Sequence, residues 1–326
     1  MIPHRAAVLC GLLLAGGAAS AFAASNPAAG TGGATFLQLG YGDTRALGMG
    51  RAFVAAAEGT DSLTWNPAGL GITSTREFSY SYLRYIQDVN SPIYMAYAHP
   101  LGRTVLGANF AYLSVGGFDV RDANGVPLDS HNTTVKDGFG TIAVARSFFY
   151  EKLFLGAGVK DIYEDNAGSH HNSLALDLGA IFKPNHRISF GFATQNLGPS
   201  QERVAKITRL GIAGHPFDYL LLSLELAKPS DNGWKVGIGG EVVLPEELLS
   251  VGQVSLRMGY YTRGDQGTIL PQDRSSLYPL IGANGLSFGL GVFTSQAFGY
   301  GIGLDYALVP MGALGTSDEL TLKIKF

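Results

Sequence analysis

The chain has 326 residues, of which 15% are charged and 46% hydrophobic, and its formal net charge is −3. That charge content is well under the roughly 25% of an ordinary soluble domain. A mean hydropathy of +0.15 is too apolar for a disordered chain and too polar for a bundle of membrane helices. The near balance of 23 basic and 26 acidic residues speaks against nucleic acid as a partner, because binding phosphate needs a basic surface.

Residues 1–23 read as a secretory signal peptide. His4 and Arg5 form a short charged start, Ala6 to Ala19 an apolar run, and Ala21-Phe22-Ala23 a small-x-small cleavage pattern. An uncleaved anchor helix is the alternative, but the run is only marginally long enough to span. The single cysteine, Cys10, lies inside this run behind Leu9, which is not the small residue a lipoprotein site needs. Cleavage after Ala23 leaves a mature chain without disulfide, thiolate nucleophile or cysteine-bound metal. No later segment has the ~20 apolar residues of a membrane helix. An exported, apolar chain of this kind points to a β-barrel in the bacterial outer membrane, where closed strands satisfy every backbone group in lipid.

Residues 24–75 form a second unit. Ser25–Gly33 is a linker rich in Pro, Gly and Ala. The stretch Ala52–Glu58 is expected to make two short helical turns. Asn66 precedes Pro67, which biases Asn66 toward an extended or turn conformation. A barrel of this size otherwise leaves room for water, so the segment is placed to fold back into the lumen as a plug.

From residue 76 to residue 326 the sequence alternates apolar with small or polar residues, the period of a sheet with two unlike faces. Fourteen strands are expected, over 76–86, 92–100, 103–115, 134–149, 152–165, 171–183, 186–197, 203–214, 219–229, 233–244, 251–261, 285–296, 298–308 and 317–326. The last is the plainest, with Leu320, Leu322, Ile324 and Phe326 on one face and Thr321, Lys323 and Lys325 on the other. Connections after even-numbered strands are mostly short, Pro245–Ser250 being the exception. Those after odd-numbered strands include the long Gly116–Thr133 and Thr262–Asn284, the asymmetry of an outer-membrane barrel. A soluble β-sandwich has the same alternation, but ten-residue strands exceed its norm of about five or six. Aromatic residues at strand ends (Phe148-Phe149-Tyr150, Tyr219, Tyr260-Tyr261) suit an interfacial belt.

On the small and polar face lie Lys160, Asp177, Glu225, Lys235, Glu241, Arg257 and Asp305, read as luminal anchors for the plug. Buried charges of this kind need partners or water. His99, His186 and His215 sit at turns. His170 and His171, near Glu164 and Asp165, are of a type that binds a divalent metal at the cell surface, but are read as a polar loop tip. The loop acids Asp119, Asp122 and Asp129 do not have the spacing of a twelve-residue calcium loop. No nucleophile and base are brought together by the strand register, so no enzyme, no cofactor and no metal are expected.

The run Ala46-Leu47-Gly48-Met49-Gly50-Arg51-Ala52-Phe53-Val54-Ala55, followed by Trp65-Asn66-Pro67-Ala68-Gly69-Leu70, resembles the N-terminal signature of the PorV/PorQ family, which is grouped with the FadL-like outer-membrane transporters. Arg51 stands where the family usually has Gly. The resemblance covers Leu39–Gly71, and elsewhere it is architectural: fourteen strands and a terminal Phe. It implies a barrel with a luminal hatch in which Trp65, Asn66, Pro67, Ala68 and Gly69 form the gate. Two functions follow from the resemblance. One is passive transport of small hydrophobic solutes. The alternative is a PorV-like component of a type IX secretion system, which holds partner proteins with the long loops. Partners are then outer-membrane lipid and either a hydrophobic ligand or secretion proteins. Phe326 resembles the signal read by the barrel-assembly machinery.

Overall fold

The computed structural model describes residues 32–38, 40–84, 92–118, 121, 124–126, 133–166, 168–200, 202–246, 252–262, 285–297, 299–310 and 316–326. The expected signal peptide, the loop acids Asp119, Asp122 and Asp129, and most of both long connections lie outside these residues. Of the connection 116–133, the first three residues belong to a strand and Thr133 opens the next one.

Fourteen strands form the wall: β1 (Glu77–Arg84), β2 (Ile93–Leu101), β3 (Thr104–Phe118), β4 (Thr133–Phe148), β5 (Leu153–Asn166), β6 (Ser169–Asn185), β7 (Ile188–Leu197), β8 (Ile207–Phe217), β9 (Leu220–Pro229), β10 (Lys235–Leu244), β11 (Gln253–Tyr261), β12 (Leu286–Ala297), β13 (Tyr300–Pro310) and β14 (Thr316–Lys325). Each pairs antiparallel with its neighbours, and β1 closes on β14 in a register running from Glu77 opposite Lys325 to Arg84 opposite Asp318. The barrel is therefore closed and has no free sheet edge. The expected strand limits agree to within a few residues. The largest shift is at β8, which starts at Ile207 because Arg203 and Val204 donate to the Ser200 carbonyl in a turn instead of pairing.

The outward face is apolar along every strand. Ile142, Leu174 and Met258 are 74%, 67% and 60% exposed, while their chain neighbours Ala143, Ala175 and Arg257 are buried. An apolar surface of this extent is of the kind that outer-membrane barrels present to lipid. At the turn between β4 and β5, Phe149 and Tyr150 protrude, and Phe217 stacks on Tyr219 at the next turn but one on the same rim. These rings form one edge of an aromatic belt. The soluble-sandwich alternative is excluded by the closed barrel and this outward face.

The lumen holds residues 32–75 as a plug. Short helical pieces over Thr35–Gln38, Thr44–Gly48, Gly59–Asp61, Ser62–Trp65 and Pro67–Ile72 alternate with extended chain. Met49, Phe53, Val54, Ala57, Ala68 and Leu70 are completely buried. Burying each of the larger side chains contributes about 1.5–3 kcal/mol. The expected helical turns over Ala52–Glu58 are not formed. The chain there is irregular because its backbone bonds outward: Phe53 and Val54 donate to a wall carboxylate, and the Val54 carbonyl accepts from Asn66. Helix appears one segment earlier, where Asp43 caps Thr44–Gly48 by accepting from the Ala46 amide.

Candidate functional site: the plug and its seat

The plug meets the wall in two ways. Around β5–β12 the contact is backbone on backbone, made possible by luminal glycines. A Cβ added at Gly237 would lie 2.6 Å from the Gly50 carbonyl oxygen, and one at Gly239 would lie 2.9 Å from Met49 Cβ. Gly259 faces the same Met49–Gly50 backbone, Gly191 faces Val54–Ala55, and Gly156 and Gly179 face Asn66–Ala68. The small residues of the period-two pattern are thus seats for the plug.

Glu225 on β9 is the hub of this arc. It is 1% exposed, and its Oε2 accepts from the Phe53 amide (2.9 Å), the Val54 amide (2.8 Å) and the Trp65 indole Nε1 (2.8 Å). Its Oε1 accepts from Arg209 Nη1 at 2.9 Å. The Arg209 guanidinium lies 4.1 Å from the Trp65 ring centroid and donates through Nε to Gln195, whose amide donates to the Thr64 carbonyl. A charge paired, stacked and hydrogen-bonded in this way satisfies what burial requires. Asn66, with φ −153° and ψ 102°, has the extended backbone that Pro67 imposes. Its side chain donates to the Val54 and Ala180 carbonyls and accepts from the Ala68 amide, tying two plug segments to β6.

On β13, β14, β1 and β2, together with Glu241 of β10 and Arg257 of β11, the contact is polar and made by side chains. An alternating chain of ion pairs starts and ends on the plug. It runs from Glu58 to Arg45, then Glu241, Arg257, Asp305, Lys323 and back to Asp61. Arg45 Nη2 to Glu241 is 2.6 Å, Arg257 Nε to Glu241 is 2.7 Å, and Lys323 to Asp305 is 3.6 Å. Glu77 joins it by accepting from the Thr60 amide and hydroxyl and by pairing with Lys325. These groups surround a cavity of about 360 Å³ that also reaches Ile72, Thr73 and Phe293. Burial disfavours the Arg45 charge, but Glu241 and Glu58 outweigh it and hold the guanidinium above its ordinary value. Asp61 is pushed up to about 6, by burial first and by Glu77, against the pull of Lys323.

Of the seven expected luminal residues, two bond the plug and two more extend that bonding along the wall. Glu225 and Glu241 touch it directly, and Arg257 and Asp305 connect it to the wall. Lys160 and Asp177 instead pair with each other at 2.8 Å and hold Asn196, on the wall. Lys235 faces the lumen and is buried. Trp65, Asn66, Pro67, Ala68 and Gly69 are all buried within the plug. Phe326 lies outside, beside Tyr97 and Tyr300, with its amide and carbonyl paired to Arg76. His170 is exposed next to Tyr163 and Asp165, and among the described residues no group of three His, Cys, Asp or Glu is arranged to hold a metal ion.

Arg45, Asp61, Glu77, Arg209 and Lys323 were not singled out by the pattern. Arg209 and Lys323 carry the signal nonetheless, since each is a charged residue on the small face of a strand. Glu77 stands at the first position of its strand, and Arg45 and Asp61 lie in helical pieces of three to five residues, too short for a period to show.

No family model matches the chain, and no curated protein does. Solved structures do. The Ralstonia pickettii toluene transporter TbuX superposes with a TM-score of 0.57 at 14% identity, covering 88% of this chain and 97% of that one. A Pseudomonas aeruginosa FadL homologue gives 0.53 at 12% identity, over 87% and 98%. The Pseudomonas putida toluene transporter TodX gives 0.52 at 10% identity, over 86% and 95%. At such identities the likeness establishes the fold. The protein is a plugged barrel of the outer-membrane type. More particularly, its fold is that of TbuX, TodX and the Pseudomonas aeruginosa FadL homologue.

Proposed function

We propose that this chain sits in a bacterial outer membrane and passes small hydrophobic solutes, by a passive route that opens when the plug shifts. The observation that carries this reading is the closure itself. The lumen is occupied by the chain's own segment, seated on the wall by hydrogen bonds, ion pairs and packing, which supports a gated conduit over an open pore. Proteins of the same fold carry toluene, which makes monoaromatic hydrocarbons the first solutes to try. Trp65, Asn66, Pro67, Ala68 and Gly69 form the gate in this reading, because Asn66 is the joint that ties two plug segments to the wall.

The test is uptake of labelled toluene by vesicles holding the wild type or an Asn66→Ala, Pro67→Ala variant. Wild-type vesicles are expected to take up toluene above empty ones, and the variant to change the rate several-fold with barrel assembly intact. Unchanged uptake in a correctly assembled variant contradicts the gate. No uptake by the wild type contradicts transport, and a protein found bound in native mass spectra would then favour the secretion reading.

A further inference from the structure

Where plug residues 42–44 and 60–61 face β14, β1, β2 and β3, the interface contains a polar cluster for which solute passage has no use. Asp43, Asp61 and Glu319 are 0%, 2% and 1% exposed. Each has one carboxylate oxygen without a hydrogen-bond partner: Asp43 Oδ2, Asp61 Oδ1 and Glu319 Oε2. Asn109 Oδ1 and Ser79 Oγ are in the same condition. The remaining oxygens are engaged. Asp43 Oδ1 accepts from the Ala46 amide at 3.2 Å, Glu319 Oε1 from the Gly42 amide at 2.7 Å, and Asp61 Oδ2 from Lys323. Tyr94 packs on Gly42 and its hydroxyl feels the charge of all three carboxylates. That hydroxyl accepts from Asn109, so its proton is left to give.

The donors do not match this set of acceptors. If all three carboxylates were ionised, three buried negative charges would face one ammonium, Lys323, and the four unpartnered acceptors would outnumber the hydroxyl protons left by Tyr94, Ser79 and the bonded Thr44, Ser81 and Thr321. Buried acceptors left empty cost about 1–3 kcal/mol each, and more when charged. Protonating one carboxyl removes a charge and turns an acceptor into a donor. Among the described residues no such group of carboxyls is arranged to hold a metal ion, whereas a proton both removes a charge and supplies the missing donor.

We propose that this cluster is a proton-binding site: Asp43 is a neutral carboxylic acid at neutral pH, and release of its proton to solvent loosens the plug from β14, β1 and β2. Asp43 faces Asp61 on the plug, Glu319 and Lys323 on β14, and Tyr94 on β2. Asp61 in turn faces Lys323, Glu77 on β1 and Asp305 on β13. Burial, then the charge of Asp61, push the Asp43 carboxyl well above the usual range, against the Ala46 amide and Lys323. A carboxyl raised in the seated state binds more protons there than when released, so seating is strongest in acid and weakens as pH rises. For Asp61 the loss falls between its ordinary value of 3.8 and about 6, and Asp43 extends the loss to higher pH. The site stands whatever solute the barrel passes.

The test is infrared spectroscopy of the full chain in lipid vesicles, comparing wild type with Asp43→Asn, which keeps the shape and the capping oxygen. The wild type is expected to show the carbonyl stretch of a protonated carboxylic acid at pH 7, and Asp43→Asn to lose it. In Glu319→Gln the band is expected to shift, because a partner of the acid has changed. Exchange of the Gly42 amide, relative to that of Phe53, is expected to rise with pH in the wild type and stay flat in Asp43→Asn. Absence of the band at pH 7, its survival in Asp43→Asn, or an unmoved band in Glu319→Gln would each overturn the assignment.

Discussion

The two arcs of the plug interface are held by different physics. Around β5–β12 the wall has removed its side chains, and glycine backbone lies against plug backbone with Glu225 at the centre. On β13, β14, β1 and β2, joined by Glu241 of β10 and Arg257 of β11, the wall keeps side chains and meets the plug through charged groups and hydroxyls beside a 360 Å³ cavity. Dry packing of the first kind is insensitive to salt and pH. Ion pairs and buried acids of the second kind respond to both. In the proposed reading the plug pivots about the gate residues 65–69, which sit on the first arc, and the second arc is the side that opens.

Two carboxylates separate these arcs by the size of their effects. The larger is expected at Glu225. Glu225→Ala leaves the Arg209 charge buried without its carboxylate and strips three donors of their acceptor. Breaking a buried pair of this kind costs about 3–5 kcal/mol. The expected result is a large drop in the unfolding temperature in detergent and rapid proteolysis of the plug; an unchanged midpoint would remove Glu225 from its place as hub. The smaller is at Glu58, whose side chain is half exposed and pairs with Arg45. Glu58→Gln is expected to cost under about 1 kcal/mol, and high salt to erase the difference from wild type. A Glu58 effect as large as that of Glu225 would show that the arcs do not differ.

The wall was legible from the sequence because lipid outside and plug inside impose a strict period of two. Leu174, Leu176 and Leu178 point out and Ala175, Asp177 and Gly179 point in, as their order predicts. The luminal charges were found by the same parity, and Glu225, Glu241, Arg257 and Asp305 proved to be the ones that engage or connect to the plug. The plug itself was less legible. Its chain follows no period, and its backbone is shaped by partners that are distant in sequence: Phe53 bonds Glu225, 172 residues away, and Gly42 bonds Glu319, 277 away. Helical propensity over Ala52–Glu58 yielded to those bonds. Asn66 was visible through Pro67, a local constraint, whereas Asp43 and Asp61 gave no local sign of their role.

Five plug amides donate to wall carboxylates, those of Ala34, Gly42, Phe53, Val54 and Thr60, and the last four provide the most direct test. Phe53 and Val54 donate to Glu225, and Gly42 and Thr60 to Glu319 and Glu77. Hydrogen exchange of the full chain in vesicles, followed amide by amide at low and high salt, reads both arcs in one experiment. Gly42 and Thr60 are expected to exchange faster than Phe53 and Val54, and to gain further as salt rises. Equal protection of all four, unmoved by salt, would contradict a plug with one fixed side and one side that opens.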